Sequence, residues 1–342
     1  MTIDPPAPTA QSAAAAAMRL VSGFQVSRAI YAGAAFGMFD RLVTPRSSDE
    51  VAAEAGTHGP TTYRLLRALA SVGLLDEQPD RVFALTPAGN YLRSDVPGSL
   101  VPWALSIGRD YYWEAWGGLP EAVRTGECAF TQVHGQASWD WRATHPEDGA
   151  AFNRAMTSMS QRMASAVVMA HDFNRYRDVV DVGGGTGTLI AAILRRYRLP
   201  RGIVFDLPEA VDGAQAVLAR SGFADRATAV GGSFFEKVPE GADAYVLQSV
   251  LHNWDDEHSI AILRTIRAAM RPEARLLVLE SEVGPPNTGA DVKFLDLNML
   301  VIHGSRERTR EELAALLAGA GLTYVEATRT AGPLTILEAR PV

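Results

Sequence analysis

The chain contains a single cysteine, Cys128, among its 342 residues. One cysteine cannot form an internal disulfide framework, and the sequence therefore predicts a reducing, cytoplasmic location. Residues 1–17 are rich in Pro and Ala and have no basic segment ahead of the alanines, which predicts a disordered tail rather than a secretory signal. No apolar run reaches the roughly 18 residues that a membrane-spanning helix needs, so no membrane contact is predicted.

Basic charge is also scarce. The chain has 32 Lys and Arg against 39 Asp and Glu, a formal net charge of −7. This balance disfavours nucleic acid as a partner, because phosphate contacts supply most of the non-specific affinity for nucleic acid. The sequence shows neither a Cys/His metal-ligand spacing nor a G-x-S-x-G nucleophile turn, and no metal is predicted.

Residues 18–95 show a winged-helix pattern. The spacing Ser47-x-x-Glu50 is that of a capping box and opens a short helix, a second helix follows over Thr61–Val72, and Leu74–Thr86 has the pattern of a β-hairpin. Such a module either binds DNA or mediates dimerisation. Between Ser47 and Asp95 seven acidic residues stand against four basic ones, which favours the dimerisation module.

Residues 96–172 are predicted to be helical and are unusually aromatic. Ordinary core packing and a pocket for a flat aromatic ligand use the same residue types, so composition leaves both interpretations open. We expect this segment to be a helical linker that lines a pocket for an aromatic acceptor. The candidate pocket residues, here and later in the chain, are Trp103, Phe152, Met156, Asn253, Met299 and His303.

Residues 173–342 alternate short apolar strands with helices, which predicts an α/β domain with a mostly parallel sheet. The final two strands are separated only by Ala331-Gly332-Pro333. A turn this short cannot be a parallel crossover, so the last strand is predicted to be antiparallel.

A glycine-rich turn follows the first strand of this domain. Gly183, Gly185 and Gly187 follow Asp181, and Asp206 ends the second strand, where a carboxylate can accept from ribose hydroxyls. This combination predicts a cofactor that contains adenosine. The G-x-G-x-G spacing favours S-adenosylmethionine (SAM) over a nicotinamide dinucleotide, whose fingerprint is G-x-G-x-x-G.

His252 follows the fourth strand of the same domain. Ligands of open α/β sheets bind beyond the carboxyl ends of the strands, so His252 is in a position to face a reacting hydroxyl. An imidazole that titrates near neutral pH suits a general base. A structural or surface histidine is the alternative interpretation.

Taken together, these stretches resemble the plant-type family of SAM-dependent small-molecule O-methyltransferases, which includes bacterial members from natural-product pathways. The resemblance covers nearly the whole chain after the tail. The motifs that carry it are Asp181-Val-Gly-Gly-Gly-Thr-Gly187, Phe205-Asp206-Leu-Pro208, Gly232-Ser-Phe-Phe235, Val250-Leu-His252-Asn-Trp254 and Arg306-Glu307-Arg-Thr309.

The resemblance implies a winged-helix-like dimerisation domain followed by a Rossmann-like SAM-binding domain, a homodimer, and methyl transfer to an aromatic hydroxyl with S-adenosylhomocysteine (SAH) as product. It implies that His252 is the catalytic base and that Glu280 and Glu307 orient it. Met156 and Met299 match positions that grip the acceptor ring. The implied cofactor-binding residues are Gly183, Gly185, Asp206, Ser233, Phe234 and Gln248.

Three positions depart from the family's pattern. Ser233 stands where the family usually has Asp, Gln248 where plant members often have Lys, and Asn253 where Asp is frequent after the base. The alternatives to methyl transfer are a relative that uses SAM for hydroxylation or decarboxylation, a nicotinamide oxidoreductase, and a winged-helix DNA-binding regulator.

Overall fold

The computed structural model describes residues 10–342, which form two compact units. The first comprises the described residues up to Trp113 together with Ala150–Ser158, and the second comprises Glu114–Gly149 and Met159–Val342. The domain boundaries predicted at residues 95 and 172 stay predictions. None of the helices described is both long enough and apolar enough to cross a membrane.

The helices, in chain order, are α1 (Ala10–Val21), α2 (Gly23–Ala35), α3 (Met38–Arg41), α4 (Ser48–Ala55), α5 (Gly59–Ser71), α6 (Val101–Ile107), α7 (Asp110–Gly117), α8 (Leu119–Thr125), α9 (Ala129–His134), α10 (Ser138–Thr144), α11 (Pro146–Ala170), α12 (Thr188–Arg196), α13 (Pro208–Arg220), α14 (Asp256–Ala269), α15 (Ala290–His303) and α16 (Arg310–Gly319). The strands are β1 (Arg46–Ser47), β2 (Leu75–Gln78), β3 (Val82–Leu85), β4 (Asp178–Val182), β5 (Arg201–Asp206), β6 (Ala227–Gly231), β7 (Ala244–Gln248), β8 (Arg275–Ser281), β9 (Leu322–Arg329) and β10 (Leu334–Pro341). A 3₁₀ turn, Leu251–Asn253, follows β7.

The first unit has the predicted winged-helix order. Ser47 caps α4 through a complete capping box with Glu50, as the spacing predicts. The predicted hairpin is formed by β2 and β3, and the short β1 adds a third strand beside β3 that the sequence pattern did not reveal. The large side chains of Phe39, Leu66 and Phe83 are fully buried in the core.

The first helix begins earlier than the sequence predicts. Residues 10–17 belong to α1, although they lie within the segment predicted to be a disordered tail. The run of alanines explains the difference, because alanine has the highest intrinsic helix propensity. The rest of the predicted tail, residues 1–9, lies outside the described residues.

The second unit is built on a seven-stranded sheet in the order β6-β5-β4-β7-β8-β10-β9. Neighbours from β6 to β8 pair in parallel, whereas β10 lies between β8 and β9 and is antiparallel to both. The predicted mostly parallel sheet with an antiparallel last strand is confirmed. Buried side chains cover both faces of the sheet, with Tyr245 and Leu247 in one layer and Val204 and Val246 in the other.

The strand order reverses at β4, whose neighbours β5 and β7 lead to opposite edges of the sheet. Such a reversal opens a crevice beyond the carboxyl ends of the strands, where open α/β sheets bind their ligands. Val182, Asp206 and Gln248 end β4, β5 and β7. The topology therefore brings the glycine-rich turn, Asp206 and the segment that carries His252 to one edge of the sheet.

Candidate active site

The glycine-rich turn after β4 needs its glycines. Gly183, Gly185 and Gly187 have left-handed backbone, with φ of 73°, 53° and 73°. A Cβ on Gly183 would lie 2.9 Å from Val250 Cγ2, and one on Gly185 would meet no atom within 4 Å. A side chain at position 183 would therefore collide with the protein, whereas the backbone at Gly185 borders open space.

Asp206 holds this turn in place. Its Oδ2 accepts from the Gly185 N–H at 2.8 Å, and its Oδ1 accepts from the Leu207 N–H at 2.7 Å. The ring of Phe234 lies 3.8 Å from the position that a Gly183 Cβ would occupy. The structure thus brings together Gly183, Gly185, Asp206 and Phe234, four of the predicted cofactor-binding residues.

The Ser233 side chain bonds to the backbone of the turn to which Ser233 belongs. The Ser233 Oγ accepts from the Phe235 N–H at 3.3 Å, and the Ser233 carbonyl accepts from the Glu236 N–H at 3.0 Å. The hydroxyl is therefore engaged locally, next to the Phe234 ring that reaches the glycine turn. Its predicted contact with the adenine ring stays a prediction.

Asp181 Oδ1 and Gln248 Oε1 are among the buried polar atoms at this edge that have no hydrogen-bond partner in the part of the chain that the structure describes. Burial, together with the charge of Asp206, raises the pKa of the Asp181 carboxyl to about 7. A ligand that brings hydrogen-bond donors and positive charge would satisfy both atoms. SAM carries an ammonium, a sulfonium and ribose hydroxyls, so the residues present fit the predicted cofactor.

His252 lies on the 3₁₀ turn beyond β7. Ser249 leads into this turn with a left-handed backbone, φ +56°, which costs a non-glycine residue about 1–3 kcal/mol and is found mainly at functional sites. The His252 Nδ1 lies 3.0 Å from Glu307 Oε1 and 3.5 Å from Glu280 Oε2. The structure therefore assembles the predicted base and both predicted acids into one group, which we call the His252 cluster.

Both acids of the His252 cluster also take part in hydrogen bonds that involve the backbone. Glu280 Oε1, on β8, accepts from the N–H groups of Val250 and Leu251 at 3.0 and 2.8 Å. The Glu307 N–H donates to Asp296 Oδ1 on α15 at 2.9 Å. Glu280 therefore fixes both the ring of His252 and the turn that carries it, whereas Glu307 is held in place from α15.

Two opposing effects set the charge of His252. Burial lowers its pKa, but the charges of Glu280 and Glu307 and the hydrogen bond to Glu307 outweigh burial and raise the pKa to about 9. Burial also raises the pKa of Glu280, and the charge of His252 counteracts this. Since both carboxylates face Nδ1, the neutral ring carries its proton there and has its lone pair on Nε2.

Arg308 is a site residue that the sequence reasoning missed. Its buried guanidinium donates to the carbonyls of Leu251 and Trp254, at 2.8 and 2.7 Å, and to Asp256 Oδ1 at 2.8 Å. Arg308 thereby clamps both ends of the turn that carries His252. The only signal in the sequence was its place beside Glu307 in the Arg306-Glu-Arg-Thr motif.

Within residues 10–342, His252, Glu280 and Glu307 form the one group of three such side chains whose ligand atoms, all within 4.8 Å of one another, could hold a metal ion. We interpret the group as an ion-paired base, because Glu280 already binds two backbone N–H groups and the imidazole Nδ1 is hydrogen-bonded to Glu307. The absence of a metal stays a prediction.

The predicted acceptor-pocket residues fall in both units. Trp103 on α6 and Phe152 and Met156 on α11 belong to the first unit and are half-buried. In the second unit, Met299 is buried on α15, and Asn253 is exposed with its Nδ2 donating to the Ser249 carbonyl at 3.3 Å. His303 ends α15 with its Nδ1 3.2 Å from Ser138 Oγ. That these residues line one pocket stays a prediction.

Comparison with known families gives two matches. Residues 18–95 match the O-methyltransferase dimerisation domain, and residues 116–323 match the O-methyltransferase domain. The second match includes the glycine-rich turn and every residue of the His252 cluster. The predicted winged-helix-like dimerisation module and SAM-dependent enzyme class are both confirmed.

Curated relatives cover nearly the whole chain. Phenazine O-methyltransferase PhzM from Lysobacter antibioticus is 38% identical over 95% of this chain and 95% of its own, and mitomycin biosynthesis 6-O-methyltransferase from Streptomyces lavendulae is 37% identical over 94% and 93%. A relative with a different activity in its name, aclacinomycin 10-hydroxylase RdmB from Streptomyces purpurascens, is 35% identical over 82% of this chain and 76% of its own.

Solved structures agree. CalO1, a methyltransferase in calicheamicin biosynthesis in its SAH-bound form, has a TM-score of 0.90 at 31% identity and covers 98% of this chain and all of its own (100%). The O-methyltransferase NcsB1 from neocarzinostatin biosynthesis, in complex with SAM and 2-hydroxy-5-methyl naphthoic acid, has a TM-score of 0.75 at 31% identity over 92% and 96%. The chain belongs to the family of SAM-dependent O-methyltransferases that carry an N-terminal dimerisation domain.

Proposed function

We propose that this protein transfers a methyl group from SAM to a hydroxyl of an aromatic small molecule, with His252 as the general base. The observation that carries the proposal is the contact of His252 Nδ1 with Glu280 and Glu307 at the edge of the sheet that also bears the glycine-rich turn. This arrangement directs Nε2, the basic nitrogen, away from the two acids.

The cluster suits removal of a proton from a weakly acidic hydroxyl. In the cofactor-free protein the two carboxylates raise the pKa of His252 to about 9, so the ring is protonated at neutral pH and acts as a base only after it has lost the Nε2 proton. The neutral ring then takes the proton of the hydroxyl at Nε2, and the same carboxylates stabilise the imidazolium that forms. A positioned base of this kind contributes roughly 10²–10⁴-fold to the rate. Alignment of two bound reactants contributes up to about 7–11 kcal/mol.

The cofactor would be held at the glycine-rich turn. When bound, SAM supplies the electrophilic methyl group. Gly183 and Gly185 would let its methionine and ribose parts approach the backbone, Asp206 would accept from the ribose hydroxyls, and Ser233 and Phe234 would lie beside the adenine. Gln248 and Asp181 would offer their buried oxygens to the ammonium side of the cofactor.

The acceptor is proposed to be a planar secondary metabolite. Support comes from a relative named as a phenazine O-methyltransferase, from an O-methyltransferase of mitomycin biosynthesis, and from the naphthoic acid bound to NcsB1. Trp103, Phe152, Met156, Asn253, Met299 and His303 are the residues proposed to contact it.

We also propose a homodimer formed through the first unit and a cytoplasmic location. Large apolar side chains are exposed along α1 and α2, among them Leu20, 84% exposed, and Phe24, 57% exposed. A face of this kind is typical of an association surface. The cytoplasmic location is supported by the single free cysteine, Cys128.

A second candidate is hydroxylation or decarboxylation with SAM bound but not consumed. The similarity to aclacinomycin 10-hydroxylase RdmB is what favours it. The presence of His252 between two acids favours methyl transfer, because proton removal from a hydroxyl is the step such a base serves. Analysis of the product by mass spectrometry separates the candidates, since methylation adds CH₂ and hydroxylation adds oxygen.

The test replaces His252. The His252→Ala variant is expected to bind SAH with unchanged affinity by calorimetry and to lose about 10²–10⁴-fold in the rate of methyl transfer to a phenolic acceptor. His258→Ala is the matched control, because His258 is an exposed histidine on the neighbouring helix α14. Turnover of His252→Ala within a few-fold of the wild type would exclude His252 as the base, and failure of the wild type to bind SAH would exclude the function.

A further inference from the structure

A cavity of about 520 Å³ lies at the edge of the sheet opposite the His252 cluster. It is bounded mainly by residues at the amino ends of β4, β7 and β8, and all of its lining residues belong to the second unit. Sites for small organic molecules occupy about 300–1,000 Å³, so the cavity is large enough for such a ligand. None of its lining residues takes part in the proposed methyl transfer.

The lining of this cavity is rich in arginine, although the chain as a whole carries a formal net charge of −7. The four arginines that line it are Arg175, Arg177, Arg271 and Arg275. We call it the arginine cavity. A concentration of positive charge in an acidic protein indicates a place that attracts an anion.

Three acids also line the arginine cavity, but two of them already have partners within the fold. Asp243 Oδ2 accepts from two backbone N–H groups at the start of β4, at 2.8 and 3.2 Å. Glu338 is 6% exposed, and its Oε1 accepts from Arg275 Nε at 2.9 Å. The third acid, Glu273, is exposed. The acids therefore do not neutralise all four arginines.

Three of the arginines keep donors that no acid accepts at close range. Arg177 is exposed, and its guanidinium has no hydrogen-bond or ion-pair partner among residues 10–342. Arg271 Nη1 lies 3.5 Å from Asp243 Oδ1, and Arg175 Nη1 lies 3.8 Å from Glu338 Oε2. Both distances exceed the roughly 2.7–2.9 Å of a close charge-assisted hydrogen bond. Each guanidinium has five N–H donors, so many of them are available to a ligand.

The position of these donors favours an anion with many oxygens. Arg175 and Arg177 precede β4, whereas Arg271 precedes β8, so the guanidinium groups come from two separate segments. Arginine binds phosphate groups with pairs of parallel N–H···O bonds, and a diphosphate has enough oxygens to contact both segments. Leu199, 51% exposed, and the buried Ala242 add apolar surface to the lining. This surface suits the organic part of a ligand.

We propose that the arginine cavity binds a small organic diphosphate, with its phosphate groups among Arg175, Arg177 and Arg271 and its organic part against Leu199. The site is separate from the SAM site, because β4 and β7 carry the two sites at opposite ends. Each of these strands has five residues and is roughly 16 Å long, so both ligands can be bound at once. The proposal does not depend on the proposed methyl transfer.

Calorimetry with the SAH-saturated protein, without divalent cations, measures the binding of GDP, pyrophosphate and guanosine. Saturation with SAH keeps the nucleotide out of the crevice at the glycine-rich turn. We expect GDP to bind at least about tenfold more tightly than guanosine, which lacks the anion. Pyrophosphate should bind with an affinity between the two, because it lacks the organic part. Equal affinities for GDP and pyrophosphate would overturn the assignment to an organic diphosphate, since the free anion would then be the ligand.

Variants assign the binding to this cavity. Arg177→Gln and Arg271→Gln each remove one guanidinium, and we expect each to weaken GDP binding by about tenfold while the affinity for SAH stays unchanged. Glu273→Gln removes a negative charge from the same lining and should strengthen GDP binding by about twofold. Arg329→Gln is the matched control, because Arg329 is an exposed arginine on β9 that does not line the cavity.

Three further results would overturn the proposal: a wild type that binds neither GDP nor pyrophosphate, a wild type that binds guanosine as tightly as GDP, and Arg177→Gln and Arg271→Gln variants that both bind GDP as the wild type does. The last result would mean that GDP binds elsewhere on the surface. None of these results affects the proposed methyl transfer, which is tested by SAH binding and by the His252→Ala variant.

Discussion

The glycine-rich turn and the His252 cluster lie at the same edge of the sheet, yet their buried acids have opposite surroundings. Each of these buried acids has one oxygen without a hydrogen-bond partner among residues 10–342, but the charge beside Asp181 is negative, that of Asp206. Glu280 and Glu307 have a histidine between them, and Glu280 also binds two backbone N–H groups. The difference indicates that the cofactor site gains its missing positive charge only when the cofactor binds. The base, in contrast, is already oriented in the cofactor-free protein.

This contrast has a physical basis. A buried carboxylate without a counter-charge destabilises the fold, and proteins tolerate it mainly where a ligand later supplies the missing charge. A base must instead be oriented before the acceptor arrives, because alignment contributes to the rate only when its entropy cost has been met before the reaction. We therefore expect substitutions on the two sides to change different quantities.

The largest effect is expected at Glu280. Glu280→Ala removes the acceptor of the Val250 and Leu251 N–H groups and leaves the buried charge of His252 with one acid fewer. We expect a loss of about 3–5 kcal/mol in the free energy of unfolding, as for other broken buried pairs. Denaturant unfolding measures this loss.

The conservative variant separates stability from catalysis. Glu280→Gln keeps the shape of the side chain, and we expect it to fold and to bind SAH but to lose about 10²-fold or more in turnover, because the histidine is no longer oriented from both sides. Full turnover of Glu280→Gln would show that Glu307 alone orients the base.

A smaller effect is expected at Arg308, which acts on the base only through the backbone. Arg308→Lys cannot bind the carbonyls of Leu251 and Trp254 and the carboxylate of Asp256 at once, since lysine lacks the planar fork of arginine. We expect turnover to fall by about tenfold, because the turn that carries His252 would be slightly displaced, and we expect KM for SAM to be unchanged. Steady-state kinetics measure both. An equal rise in KM for SAM would mean that Arg308 supports the whole edge of the sheet rather than the His252 turn.

The smallest change in turnover is expected for Asp181→Asn. Unlike Glu280→Ala, this variant is expected to be more stable than the wild type. The pKa of Asp181 is raised from 3.8 to about 7, so the ionised carboxylate opposes folding fully above pH 7, and this penalty disappears as the pH falls toward 4. Asn removes the charge, and we expect the Tm of the cofactor-free protein to rise by about 2–5 °C at pH 8 and by much less at pH 4.5.

The same variant should bind the cofactor less well. We expect the affinity of Asp181→Asn for SAM to fall by about tenfold, because a neutral amide replaces the carboxylate that faces a cationic ligand. Thermal melts with and without SAM measure both changes in one experiment. A lower Tm in the absence of cofactor would contradict the idea that the buried charge of Asp181 destabilises the protein until a ligand binds.

Much of the fold and part of the site could be predicted from the sequence, because both depend on local patterns. The capping box at Ser47, the alternation of strands and helices, and the short Ala331-Gly332-Pro333 turn specify their structures within a few residues. The glycines, Asp206 and His252 stand at strand ends, where the topology alone brings them together.

The features that escaped prediction depend on contacts between distant residues. Arg308 binds the carbonyl of Leu251 across 57 positions, and nothing near either residue in the sequence marks the pair. Helix α15 has apolar residues on most of its sides and gives no clear amphipathic stripe, so the contact of Asp296 with the Glu307 N–H is visible only in the structure. The lack of a hydrogen-bond partner for Asp181 Oδ1 among the described residues likewise depends on where residues distant in the sequence lie.

The most direct test of an assembled base is the pKa of His252 in the cofactor-free protein. NMR titration of protein with ¹³C-labelled histidine, with the His252 resonance assigned from the spectrum of His252→Gln, gives this value. We expect His252 to titrate near pH 9, since Glu280 and Glu307 already face its ring. A pKa at or below the ordinary histidine value of 6.5 would contradict it, because the cluster would then form only when ligands bind.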